Sequence, residues 1–272
     1  MRAKRSRLIL TVMGFGYAFL YLPIMMLIVF SFNESRLVTV WSGFSTKWYY
    51  ELFHNESILK AAWVSLQVAV ISATIAVIVG TLAAIVITRF SSLRGRTLFN
   101  GLLTAPMVMP DVITGLALLL LFVALEQSPF WPFSRGIATI TMAHTTLAIA
   151  YVVVIITGRL AEFDRSLEEA ALDLGARPMM VFFRITLPLI APSLIAGWLL
   201  AFTISLDDVV IASFVSGAGS TTLPMIVFSS VRWGVTPQIN ALATIIVSLV
   251  TFGVIIAGLF IHRQQRLERT LN

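Results

Sequence analysis

Three aspartates stand where carboxylates are hard to keep. Asp111 follows Pro106-Met107-Val108-Met109-Pro110, and Asp207 and Asp208 follow Ile204-Ser205-Leu206, each inside a long apolar run. A charged side chain at the centre of a membrane helix costs roughly 2.5–3.5 kcal/mol on the insertion scale, so such groups face a partner or a solute rather than lipid. The chemistry open to them is transient pairing with a cation. Lys60, at the edge of the second apolar run, is counted with the outer residues, and no other Lys or Arg falls in a run. The countercharge then comes from a partner subunit or a cationic solute. Neighbouring helical residues diverge by about 100°, so no single local device satisfies both Asp207 and Asp208. Two readings stand for Asp111: a path carboxylate, or the N-cap of a half-helix restarted after Pro110. His54, His144 and His262 are mutually remote and show no ligand spacing, so structural or surface roles are expected for them. No span carries Ser with His, or His with a carboxylate, within helical reach, which argues against a hydrolase; no catalytic residue is expected.

The elements that must hold these residues are written in the composition. The chain has 272 residues, 58% apolar and 12% charged, against about half and a quarter in soluble domains. With no cysteine it can form no disulfide, zinc knuckle, iron–sulfur cluster or thiol nucleophile, and no metal centre is expected. Six apolar runs, residues 8–32, 58–88, 98–125, 137–158, 187–216 and 241–261, each suffice to cross about 30 Å of hydrocarbon as a helix. The fold expected is an all-α integral membrane protein, a single transmembrane domain over residues 1–272. No stretch shows the ten-residue alternation of a β-barrel. If all three aspartates lie on unbroken helices, Asp111 is about 20 Å and the pair about 30 Å from the basic side, in the outer half of the bilayer.

Of the 19 basic residues, 14 fall at the N-terminus, in the second and fourth loops and in the tail, on one side of six spans. The positive-inside rule makes that side cytoplasmic, with both termini there. The charge of +6 therefore marks topology and not a nucleic-acid surface. Met1 to Arg7, followed by an apolar run without a small-residue cleavage site, reads as a retained signal anchor.

The loop from Arg159 to Thr186 is patterned. Ser166 and Glu169 fit a capping box, and Gly175 suits a left-handed stop. Leu167, Ala170, Ala171 and Leu174 recur at i, i+3, i+4 and i+7 as a small apolar face, away from Glu168 and Asp173. Pro178 suits the start of a second short helix over 179–185. Such a face could fold against its own bundle or the headgroups, or seat in a partner's groove. No G-x-x-x-x-G-K-[ST] phosphate loop occurs, so the chain itself cannot hydrolyse ATP.

The string Glu169-Ala170-Ala171, then Gly175, then Ile185-Thr186-Leu187-Pro188 resembles the "EAA" signature of the membrane subunits of bacterial ATP-binding-cassette importers. Three further stretches, residues 105–115, 205–214 and Thr222-Leu223-Pro224-Met225, are similar to the permease subunits of spermidine/putrescine importers, a resemblance that runs over nearly the whole chain. It implies a type I permease fold in which residues 159–186 form the coupling helix: Glu169 would bond the ATPase, Ala170 and Ala171 would allow close approach, and Gly175 would turn the chain. It also implies a second permease subunit, two ATP-binding subunits and an external polyamine-binding protein. No cofactor is expected on this chain; ATP and magnesium would sit on the partner ATPase.

The loop over 33–57 holds Trp41, Phe44, Trp48, Tyr49, Tyr50 and Phe53 and reads as an amphipathic interfacial segment, with Trp41 able to offer its face to an ammonium group at the path's mouth. Glu34, Glu51, Glu56 and Glu126 make a modestly acidic outer rim. The expectation is a permease subunit of an ATP-driven polyamine importer, with Asp111, Asp207, Asp208, Ser205 and Trp41 along the path. Its alternatives are a permease for another cationic solute or an ion-gradient-driven transporter.

Overall fold

The computed structural model describes residues 2–37, 40–90, 94–233 and 236–252, with the backbone alone for residues 2–8 and Trp233. Its helices are α1 (Arg2–Phe30), α2 (Lys47–Phe53), α3 (Glu56–Arg89), α4 (Arg96–Val108), α5 (Asp111–Glu126), α6 (Ile137–Ala161), α7 (Ser166–Asp173), α8 (Pro178–Val181), α9 (Leu187–Asp207), α10 (Val210–Val215), α11 (Leu223–Trp233) and α12 (Pro237–Phe252). Among the described residues there is no strand, only the antiparallel bridge of Asn33 with Phe44. The chain divides into two units, residues 1–59 with 229–272, and residues 60–228.

In the first unit, no residue of the apolar stretch Ile9–Phe30 of α1 is buried, and only Ile24, Leu27, Ile28 and Phe30 are half-buried, leaving an apolar surface for lipid or another subunit. Beyond it Asn33 organises the loop. Its amide donates to the carbonyls of Leu37 and Val40, its Oδ1 accepts from the backbone of Ser35 and Ser42, and its carbonyl accepts the indole N–H of buried Trp48 at 2.6 Å. Phe32 stacks on Phe44 and lies against Tyr49. The aromatic segment is thus a folded loop ending in one short helix. The Gln238 side chain of α12 bonds Asn55 at 3.1 Å and Glu51 at 3.0 Å.

The second unit is built around α6, whose buried apolar side chains fill both sides: Ile140, Ala143 and Leu147 pack with Val68, Phe122 and Ile211, while Ala148, Val152 and Ile156 pack with Ala73, Ala76 and Ile190. Small residues permit close approach, as membrane helices need in the absence of a hydrophobic drive between them. A Cβ on Gly80 of α3 would come within 2.7 Å of Val152, and one on Gly115 of α5 within 2.6 Å of Phe214. Buried hydroxyls on α6 return to the carbonyl a turn earlier, Thr141 to Ile137 and Thr145 to Thr141.

Two of the expected spans are interrupted. In place of one helix over 98–125, α4 and α5 meet at a 112° bend. Pro110 has no N–H to donate and forces Met109 out of the helical region, to φ −76° and ψ 138°. The depth argued for Asp111 from an unbroken helix therefore does not follow. The fifth run begins earlier than expected: a π turn over Phe182–Thr186 joins α8 to α9, making one segment, Pro178–Asp207, in place of a separate short helix and a span. That segment stops at Asp208, and the chain resumes as α10. Among the described residues, four helices are long and apolar enough to cross a membrane, five if α4 with α5 counts as one span. The expected sixth span begins within α12, and its residues 253–261, with His262 and the tail arginines Arg263, Arg266 and Arg269, lie outside the described residues.

Candidate functional site

Two places in the second unit gather the residues singled out above. At the end of α3, the segment 159–186 is tied down on one side only. Arg89 Nη2 lies 2.6 Å from Glu168 Oε1, and the Thr186 hydroxyl donates to that same oxygen. Arg165 Nη2 donates to the Thr88 carbonyl at 2.6 Å, one of the acceptors a helix end leaves unpaired. Between these elements lies a cavity of about 280 Å³ walled by Ile85, Phe90, Leu172, Pro178 and Phe182. The opposite side of α7 is bare: Glu169 and Ala170 are exposed and Leu174 is 89% exposed. Glu168, which points away from that face, carries the attachment; its spacing from Arg89 in sequence gave no signal of the pair.

Both ends of α7 are closed, one of them unexpectedly. Asp164, not Ser166, supplies the cap: its Oδ1 accepts the Ser166 N–H at 2.9 Å, and no capping box forms between Ser166 and Glu169. The backbone N–H and then the hydroxyl of Ser166 hold the Asp164 carboxyl below its ordinary value of 3.8. At the other end the Ala176 N–H reaches the Ala171 carbonyl and the Gly175 N–H reaches Leu172, the Schellman pattern. Gly175 has φ +83°, a conformation that side chains with a Cβ resist.

The aspartates lie at the two breaks. Asp111 is the first residue of α5, exposed, in the first turn where a negative charge meets the positive helix end. Asp207 ends α9 and is also exposed. Neither carboxylate is hydrogen-bonded to another described side chain, and the two lie within electrostatic range of each other. Glycine at 115 lets α5 and α10 close upon each other and bring the breaks together.

Asp208 is differently placed. Its Oδ1 accepts the Ile211 N–H at 3.2 Å and its Oδ2 the Ala212 N–H at 2.7 Å, capping α10. Oδ2 also meets His144 Nε2 at 3.1 Å, and His144 Nδ1 meets Ser205 Oγ at 2.7 Å. Ser72 Oγ on α3 reaches Ser205 at 3.2 Å. Sequence reasoning expected only a structural or surface role for His144 and no grouping of Ser, His and carboxylate on any one span; the structure assembles one across three helices. The order is that of a hydrolytic triad, but Ser205 is buried and accepts a bond from Ser72, so its oxygen faces packed side chains. Trp41 belongs to the first unit, nearly half exposed, edge-on to Phe30 at 6.2 Å.

A bundle of interrupted apolar helices, two exposed carboxylates at the breaks and a helix–turn–helix held out at one end fit the membrane component of a transporter. The chain belongs to the family described as binding-protein-dependent transport system inner membrane component, which matches residues 76–269. It is 56% identical over 262 residues to the putrescine transport system permease protein PotI of Escherichia coli (strain K12), covering 96% of this chain and 93% of that one. To the spermidine/putrescine transport system permease protein PotC of Haemophilus influenzae it is 43% identical, covering 86% and 88%. The fold matches a bacterial ABC transporter involved in the import of the acidic polysaccharide alginate, with TM-score 0.73, 16% identity and 95% and 97% of the two chains covered. A second match, with TM-score 0.69 and 18% identity over 93% and 91%, is that alginate transporter in complex with a pentasaccharide-bound periplasmic protein. The chain is accordingly an ABC importer permease, an inner-membrane transport component of a kind that works with a second permease, an ATPase and a substrate-binding protein.

Proposed function

We propose that this chain is a permease subunit of an ATP-driven polyamine importer, taking putrescine or spermidine through the membrane by alternating access. The observation that carries the reading is the pair of exposed carboxylates, Asp111 and Asp207, with no hydrogen bond to another described side chain, brought within electrostatic range at two helix breaks. A flexible polycation needs acidic partners that hold it briefly, and a site must bind weakly enough to release. The names of the similar permeases support polyamines over other cations.

Asp111 and Asp207 pair with the ammonium groups of the solute, Asp208 and Ser205 belong to the wall behind them, and Trp41 lies at the mouth. The chain forms one permease domain, pairs with a second, similar permease, sits on two ATPase subunits that bind ATP and magnesium, and receives cargo from an external binding protein. It binds no cofactor itself. Both termini and residues 159–186 face the cytoplasm. The face of Ala170, Ala171 and Leu174 seats in the ATPase, Glu169 bonds at its edge, and Gly175 turns the chain back toward α9. Closure of the ATPases pulls α7, and the Arg89–Glu168 and Thr186–Glu168 contacts pass that pull to α3 and α9 together.

The test is uptake of labelled putrescine by the reconstituted complex carrying Asp111→Asn with Asp207→Asn. Uptake should fall at least about tenfold, the order expected when a charged contact is removed, while the ATPase still copurifies. Unchanged uptake would remove the path assignment.

A further inference from the structure

Asp207 and Asp208 are adjacent, yet one is exposed without a side-chain partner and the other is held by three bonds, and the cause lies on another helix. Ser205 and Asp208 are three residues apart and meet the two nitrogens of one imidazole, Nδ1 at 2.7 Å and Nε2 at 3.1 Å. A two-point attachment of this kind sets the rotation of the last turn of α9. Asp207 is about 200° around a helix from Ser205, so with Ser205 turned to α6 it must face the far side.

The bonds also join in one chain. Ser72 donates to Ser205, Ser205 meets Nδ1, and Nε2 meets Asp208, so one imidazole links the hydroxyl to the carboxylate. Asp208 meets His144 and accepts from the N–H groups of Ile211 and Ala212, three of the roughly four bonds a carboxylate can take, and its side chain is 9% exposed, so little of it is open to a solute cation. A second tie reinforces the first: the Thr139 hydroxyl of α6 donates to the Val215 carbonyl at 2.8 Å. Both ends of α10 are therefore fastened to α6, five residues apart on that helix.

We infer that His144 is a positioning residue for the solute path: by pinning Ser205 and Asp208 it holds the break in the fifth span and keeps Asp207 turned outward as the one available carboxylate of the pair. This rests on the reading of Asp207 as a path residue, and the experiment separates the two. The complete importer, reconstituted in proteoliposomes with its partner subunits and binding protein, is assayed for labelled putrescine taken up per ATP hydrolysed. His144→Ala should lower that ratio about tenfold, and in an Asp207→Asn background the further loss should be under about twofold, since residues acting through one another are not additive. His144→Gln, whose terminal amide reaches the Nε2 position, should retain more coupled uptake than His144→Asn, which reaches only the Nδ1 position.

Multiplicative losses in the double variant, an unaffected His144→Ala, or Asn equal to or better than Gln would overturn the positioning role. Where His144→Ala fails to assemble, as read from ATPase copurification, the order of Gln and Asn decides alone. If Asp207→Asn itself leaves uptake unchanged, the path assignment falls and the positioning role with it; if Asp207→Asn impairs uptake and His144→Ala does not, only the positioning role falls.

Discussion

The Arg89 guanidinium at the end of α3 and the Glu168 carboxylate on α7 meet at 2.6 Å, 79 residues apart in the chain, and the Thr186 hydroxyl shares the same carboxylate oxygen. One side chain thus joins the short helix to the ends of two long ones. Both partners of the ion pair are largely covered, 21% and 14% exposed, so the pair is better shielded from solvent than a surface bridge.

Glu168→Ala should weaken this junction by about 1–3 kcal/mol, the range for a hydrogen bond to a charged group. Because the exposed face of α7 is untouched, the ATPase should still copurify while uptake per ATP falls. The exchange Arg89→Glu with Glu168→Arg should recover part of the loss; failure of both single variants to alter coupling would show the contact to be passive.

At Gly175 any side chain meets the left-handed penalty of about 1–2 kcal/mol. Gly175→Ala should reduce uptake and ATPase association together, with the amount of chain in the membrane unchanged, as measured by immunoblot and copurification. Normal association would mean that the turn tolerates another geometry.

Leu174→Asp probes the exposed apolar face directly. A charge placed in a close apolar contact should abolish ATPase copurification, whereas the same change on a merely solvated face would be silent.

The cap at Asp164 gives a pH dependence. Its carboxyl is held below 3.8 by the Ser166 N–H and hydroxyl, so its contribution to α7 is present above the ordinary aspartate range and is lost as pH falls through the lower, folded value. Protection of the Ser166 amide, its exchange rate relative to the intrinsic rate at each pH, should hold at neutral pH and fall only in that acidic window. Asp164→Ala should lack that protection at every pH.

Gly80→Leu should disrupt the packing of α3 on α6, since even a Cβ there comes within 2.7 Å of Val152. Overpacking of this kind costs about 1–3 kcal/mol. Thermal stability of the solubilised complex should drop, and Val152→Ala should restore part of it.

What could be read in advance follows from how local each feature is. Gly175 announced its turn because the Schellman bonds span five residues, whereas Pro110, which lacks an N–H, left a break open only as the second reading of Asp111, and nothing local sets a 112° angle. The second break, at Asp208 and Val209, has neither Pro nor Gly to mark it. Its cause is His144, 61 residues from Ser205 and 64 from Asp208, a distance over which periodicity is silent. The cap of α7 misled for a different reason: Asp164 and Ser166 are both good caps, and the choice between them is settled by the backbone geometry at Arg165.

In the second unit α6 runs without interruption, as α3 does. α6 contains no proline, and α4, α5, α9 and α10, the four pieces flanking the two breaks, all pack against it. It serves as a common spine. The segment Pro178–Asp207, 30 residues or about 45 Å long, lies along it, buried with it at Ile190 and Ala201 and bonded to it from Ser205. The carboxylate end and the Gly175 end of that segment are therefore braced against one continuous helix, through side chains packed without slack.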